Sequence, residues 1–111
     1  MRIGLFFGSF NPIHHGHLAL TNYIVEFSEP EQIWFVISPH NPFKKKNSLL
    51  KDYDRYELVY RAIADSDKFR ISGIEFNMPQ PSYTIDTLVR LSEKFPQHSF
   101  SLIMGADNLQ T

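Results

Sequence analysis

The 111-residue chain has no cysteine, so neither a disulfide framework nor a cysteine-rich zinc site can be built from it, and nothing points to secretion. No apolar run approaches the roughly 20 residues that span a bilayer. The first residues lack the basic start, apolar stretch and small-residue cleavage site of a signal peptide. These absences lead us to expect a soluble, cytoplasmic protein with no membrane association. A surplus of charge is also missing: 11 Lys and Arg against 12 Asp and Glu give a formal net charge of -1. That balance excludes nucleic-acid binding through bulk charge, so any anion site must be local. Internal repeats, low-complexity tracts and linkers are absent as well. What is present is 42% hydrophobic and 14% aromatic residues, which excludes a disordered chain and suffices for one domain, small for an α/β enzyme.

The apolar pattern divides the chain into alternating elements. Residues 3–7 read as a buried strand and residues 16–27 as a helix with Leu18, Leu20, Ile24, Val25 and Phe27 on its inner face. Residues 33–37 are continuously apolar and rich in β-branched and aromatic side chains, which suits a strand covered on both sides. Pro39 and Pro42 then force a loop through Lys44-Lys45-Lys46 to about Asp52. A second helix is marked by Tyr56, Leu58, Val59, Ile63 and Ala64, a weaker strand by residues 69–74, and a loop by residues 77–82. A third helix over 84–95 carries Ile85, Leu88, Val89 and Leu91, and a last strand over 99–104 ends at Gly105. Connections this long between strands require right-handed crossovers, hence a mainly parallel sheet with helices on both faces, a Rossmann-like α/β plan. Strands 1 and 4 are predicted to be neighbours, because ligands collect where the winding reverses and the loops after those two strands have suitable chemistry.

The first of those loops is the most informative stretch. Residues 8–17 read GSFNPIHHGH directly after the first strand. A strand, a glycine, a short loop and a helix N-terminus make a place for an anion, because the first helical turn has unpaired N–H groups and the positive end of the macrodipole. His14 and His17, three apart, share one face and add donors. Gly8 lets backbone approach a ligand closely, and Pro12 rules out helix for Asn11. Neither G-x-G-x-x-G nor G-x-x-x-x-G-K-S/T is present, so this is not a dinucleotide fingerprint or a P-loop.

The full stretch closely resembles the signature of the nucleotidyltransferase superfamily, a strand followed by G-x-F-D/N-P-x-H/T-x-G-H, with matches at Gly8, Phe10, Asn11, Pro12, His14, Gly16 and His17. The resemblance implies that His14 and His17 are catalytic, contacting the phosphates of a nucleoside triphosphate and stabilising charge as its α-phosphate is attacked. His15 fills the variable position, and Asn11 stands where many members have Asp. Histidine rather than threonine at position 14 argues against the phosphopantetheine branch. Ser82-Tyr83-Thr84 with Thr87-Leu88, then Ile103-Met104-Gly105-Ala106-Asp107, are similar to later motifs of the bacterial nicotinate mononucleotide adenylyltransferases, and residues 39–44 with Arg55 resemble their second loop and helix. The activity implied by this resemblance is transfer of the AMP part of ATP to nicotinate mononucleotide, giving deamido-NAD and pyrophosphate in NAD biosynthesis.

By the same resemblance, ATP is held by Gly8, Ser9, Phe10, His14, His17, Gly105 and Asp107, and the mononucleotide by Lys44 and Thr84. The nucleotide phosphate itself attacks, so alignment and neutralisation are needed rather than a serine or cysteine nucleophile. Mg²⁺ would bridge the triphosphate with few protein ligands, and no residue is assigned as a metal ligand. Some assignments have plain structural alternatives. A Lys-Lys-Lys run is more often solvated surface, and which of the three contacts phosphate is open. Thr84 serves equally well as an N-cap of the third helix, and Asp107 could cap a helix beyond Gly105. Trp34, Phe6, Phe7, Tyr53, Tyr56 and Tyr60 are read as packing; His40 and His98 are given no role.

The family continues beyond the point matched by Thr111, with a fifth strand and an I-S-x-T-x-I-R type motif that closes over the triphosphate. No such string occurs here, so a C-terminally truncated nucleotidyltransferase domain over residues 1–111 is expected. If nothing follows Thr111, apolar surface near strand 4 should be exposed, favouring a homo-oligomer, and activity should be weak or absent. Two other readings stand beside the enzyme: a noncatalytic nucleotide-binding module, and, least favoured, a small RNA-binding protein using residues 44–46.

Overall fold

The computed structural model describes residues 1–10, 13–39, 52–78 and 83–103. Its strands are β1 (Arg2–Gly8), β2 (Gln32–Ile37), β3 (Phe69–Ser72) and β4 (Ser99–Ile103), and its helices α1 (His15–Phe27), α2 (Asp52–Ile63) and α3 (Thr84–Lys94). A four-residue 3₁₀ helix, Ile74–Asn77, follows β3. The strands form one sheet in the order β3-β2-β1-β4, with β1 parallel to both β2 and β4, and β2 parallel to β3. The expected neighbours β1 and β4 are paired from Arg2↔Ser99 to Phe6↔Ile103. The chain winds one way through β1, β2 and β3, then crosses back to the other side of β1. The winding reversal therefore lies at the carboxyl ends of β1 and β4.

Alternation along the strands sends residues to two cores. Phe6, Ile33, Phe35, Ile37 and Ile103 face one side and are covered by Leu18, Ile24 and Val25 of α1 and by Val59 and Ile63 of α2. Ile3, Leu5, Trp34 and Val36 face the other side, under Leu88 and Leu91 of α3. Helices thus lie on both faces, as expected. The unbroken apolar run of β2 is explained by this: all five residues 33–37 are buried between two layers. Trp34, read as packing, is 7% exposed; its ring meets Phe95 and Phe100 edge-on, and its indole N–H donates to Gln32 Oε1 at 3.1 Å.

Several sequence expectations are corrected. On α1 the inner line runs through Leu18, Thr21, Ile24 and Val25, whereas Leu20 and Phe27 are exposed with Tyr23 on the flank. Thr21 tolerates full burial because its hydroxyl donates to His17 O at 2.9 Å. On α2 the buried line is Arg55, Val59 and Ile63; Leu58, Tyr53 and Tyr60 are exposed, and Ala64 lies beyond the helix end. On α3 the buried positions are Thr87 and Leu91, while Ile85 and Val89 are exposed. The third strand stops at Ser72 rather than continuing to Ile74, because the Ser72 hydroxyl accepts from Ile74 N–H at 3.3 Å and turns the chain into the 3₁₀ helix.

Candidate functional site

At the carboxyl end of β1 the backbone turns sharply. Gly8 closes the strand and its carbonyl accepts from Ser38 N–H at 2.9 Å, tying it to the end of β2. Phe10 follows with φ 48, a left-handed conformation that costs a bulky residue energy. The strain is offset by burial: Phe10 is 3% exposed, with its ring against Phe6, Phe35 and His17 at centroid distances of 5.5, 5.6 and 5.0 Å. A Cβ on Gly8 would stand 3.0 to 3.3 Å from that same ring. Glycine at position 8 thus leaves room for Phe10 to fold back into the core. The Phe10 side chain is a core member, so what it offers a ligand at this edge is backbone.

Beyond the turn, His14 is the N-cap of α1, with φ -140 and ψ 174. Its Nδ1 accepts from Gly16 N–H at 3.1 Å, and the Nδ1 of His17 accepts in return from His14 N–H at 3.1 Å. Imidazoles here do what a Ser and a Glu do in the usual capping box. The two rings stack at 3.7 Å between centroids, 26° from parallel. A backbone N–H can only donate, so both Nδ1 atoms are bare acceptors, and in this arrangement the neutral rings carry their protons on Nε2. Capping the helix thus occupies Nδ1 of each ring and makes the other nitrogen a donor. Gly16 has its own steric reason: a Cβ there would lie 3.0 Å from His14 Cε1 and 3.1 Å from Nδ1. No acidic residue occupies the first turn of α1, so nothing there opposes a bound anion. His14 and His15 are exposed and His17 is half-buried over Phe6 and Phe10.

The sequence places Arg55 on the second helix without indicating a role for it. In the structure it is 1% exposed, and its Nη1 donates to Ser9 O at 2.6 Å and to Ser38 O at 2.7 Å. One guanidinium thus joins the loops that leave the two central strands, and the charge-assisted bonds offset its burial. Its signal in the sequence is a charged residue standing four and eight positions before Val59 and Ile63 on a buried helical stripe.

Of the residues expected to bind ligand, the structure brings together Gly8, Ser9, Phe10, His14 and His17. Thr84 is the exposed first residue of α3. The N-cap of that helix is Tyr83, not Thr84, and it makes no side-chain capping bond. Lys44, Gly105 and Asp107, with Asn11, Pro12 and His40, lie outside the described residues. Among the described residues no group of three or more His, Cys, Asp or Glu could hold a metal ion, and no helix is long and apolar enough to cross a membrane.

The sequence also matches known proteins. It is 59% identical over 109 residues to a "probable nicotinate-nucleotide adenylyltransferase" of Cytophaga hutchinsonii, covering 98% of this chain and 57% of that protein. It is 57% identical over 111 residues to a protein of the same description from Flavobacterium johnsoniae, covering 100% of this chain and 58% of that protein. The chain thus spans a little over half the length of these relatives. The fold matches nicotinic acid mononucleotide adenylyltransferase of Plasmodium falciparum, solved in complex with NaAD, with TM-score 0.75 and 23% identity over 96% of this chain and 52% of that one. Residues 5–111 match the cytidylyltransferase-like family, and the chain belongs to that family.

Proposed function

We propose that the polypeptide transfers the adenylyl group of ATP to nicotinate mononucleotide, releasing pyrophosphate and forming deamido-NAD, as a cytoplasmic step of NAD biosynthesis. The observation that carries this reading is the reciprocal imidazole cap at the N-terminus of α1, placed at the winding reversal of the sheet. It combines the helix dipole with two Nε2–H donors on one face, a suitable partner for a chain of phosphates. The names of the two relatives agree with it.

In the reaction a phosphate oxygen of the mononucleotide attacks the α-phosphorus of ATP in line. The bond from that phosphorus to the bridging oxygen of the β-phosphate breaks, and pyrophosphate leaves. The chain needs to supply alignment and charge stabilisation and no covalent nucleophile. His14 and His17 would donate from Nε2 to phosphate oxygens while the Nδ1 of each accepts a backbone N–H. Backbone at Gly8 and Ser9, held by Ser38 and Arg55, would keep the loop in register with the helix. Mg²⁺ would accompany ATP as part of the substrate and would supply charge neutralisation at its phosphates. Gly105 and Asp107 are assigned to the adenosine side, and Lys44 and Thr84 to the mononucleotide side.

The test is product formation from ATP with nicotinate mononucleotide and with nicotinamide mononucleotide, on the 111-residue chain and on the full polypeptide its gene encodes. Deamido-NAD and pyrophosphate in equal amounts from the full polypeptide are expected. ATP binding without pyrophosphate release would favour a noncatalytic nucleotide-binding module instead.

A further inference from the structure

A second buried polar arrangement lies where the chain passes from β3 to α3. Glu75, in the 3₁₀ helix, is 4% exposed, and Thr87, in the first full turn of α3, is 0% exposed. The Thr87 hydroxyl has a single hydrogen and three acceptors in reach: Glu75 Oε2 at 2.8 Å, Tyr83 O at 3.3 Å and Met78 Sδ at 3.7 Å. The carboxyl oxygen is the nearest and strongest acceptor, so the hydrogen goes there. The Thr87 backbone N–H makes the first bond of the helical ladder of α3, to Tyr83 O at 3.1 Å. The side chain of Thr87 therefore ties the first turn of α3 to Glu75 of the 3₁₀ helix.

That grip substitutes for something α3 lacks. Tyr83 caps the helix with extended backbone but no side-chain bond, and the first turn of α3 is instead tied down by the Thr87 hydroxyl on Glu75. Because β3 and β4 run the same way, α3 returns from the carboxyl edge of the sheet to the amino edge. Its first residues, Tyr83 and Thr84, both exposed, are thereby set at the edge that also carries Gly8 and His14. Replacing a buried hydrogen-bonded pair by a well-packed apolar pair of the same shape is often neutral in stability. The use of Glu75 and Thr87 is to fix position.

We infer that Glu75 and Thr87 are positioning residues that set Tyr83 and Thr84 for the nucleotide receiving the adenylyl group. The inference rests on the adenylyl-transfer reading. It is tested by steady-state kinetics of the full polypeptide and its Thr87→Val, Thr87→Ser and Glu75→Gln variants, with each substrate varied in turn and Tm recorded. Thr87→Val should raise KM for nicotinate mononucleotide about tenfold while leaving KM for ATP within about twofold, and Thr87→Ser should restore it. Glu75→Gln keeps an amide oxygen for the hydroxyl and should fold even if Thr87→Val does not. It should show the same split at about threefold. If the variants lower Tm but move neither KM, or move both equally, the pair is structural only and the assignment is wrong. Absence of deamido-NAD from the unaltered protein overturns the functional reading and this assignment with it, and is recognised without any variant.

Discussion

On the proposed reading His14 and His17 each have two tasks, and the two nitrogens of the ring divide them. Nδ1 belongs to the fold, where it satisfies an N–H of the helix start, and Nε2 is the nitrogen that can serve a ligand. Substitutions can separate the tasks. Asparagine places an oxygen near the position of Nδ1 and is a strong N-cap, whereas glutamine reaches toward Nε2 and loses the cap. His14→Asn should keep stability within about 0.5 kcal/mol while turnover falls about 100-fold. His14→Gln should lose about 1 kcal/mol of stability yet retain more turnover than the asparagine variant. Urea unfolding with pyrophosphate release measures both. Gly16 gives a second separation: alanine is the better helix former by about 1 kcal/mol. Its Cβ would crowd the His14 ring. Gly16→Ala should therefore leave Tm unchanged or higher while turnover drops about tenfold, in a thermal scan paired with the same assay.

At the scale of elements, the strand-loop-helix junction was legible because its parts have local causes, a buried run and a proline before the helix, whereas the capping role of His14 and His17 came only from the structure. The order and parallel pairing of the strands were legible too, since long connections leave few topologies. Helix phase was less so. Ile85 and Val89 have the spacing of core positions on α3, but the buried ones are Thr87 and Leu91, a choice made by tertiary contact with Glu75 and Trp34's layer that no local pattern announces. Arg55 is the clearest case of such a contact, because its partners Ser9 and Ser38 lie 46 and 17 residues away in sequence. Removing it leaves loop carbonyls and a void behind, so Arg55→Ala should cost about 2–4 kcal/mol. Arg55→Lys, with a shorter reach and no planar fork, should cost about 1–2 kcal/mol. Chemical denaturation checks both, and an unchanged midpoint in Arg55→Ala would remove the guanidinium from its role in joining β1 to β2.

For the whole molecule, the four-stranded parallel sheet gathers its functional features at one edge. The cap on α1, the Arg55 bridge between loops and the entry of α3 all stand at or near the carboxyl ends of the strands. The opposite edge, where His98 packs among Trp34, Phe95 and Phe100, is aromatic packing. On the proposed reading two imidazoles, fixed by the fold at Nδ1, present Nε2–H donors to the phosphates of ATP. Nitrogen-15 NMR of the histidine side chains reads this directly. For His14 and His17 a bare Nδ1 and a protonated Nε2 are expected, with the Nε2 resonances shifting when ATP is added. A proton on Nδ1 of either ring, or Nε2 resonances indifferent to saturating ATP, would contradict it.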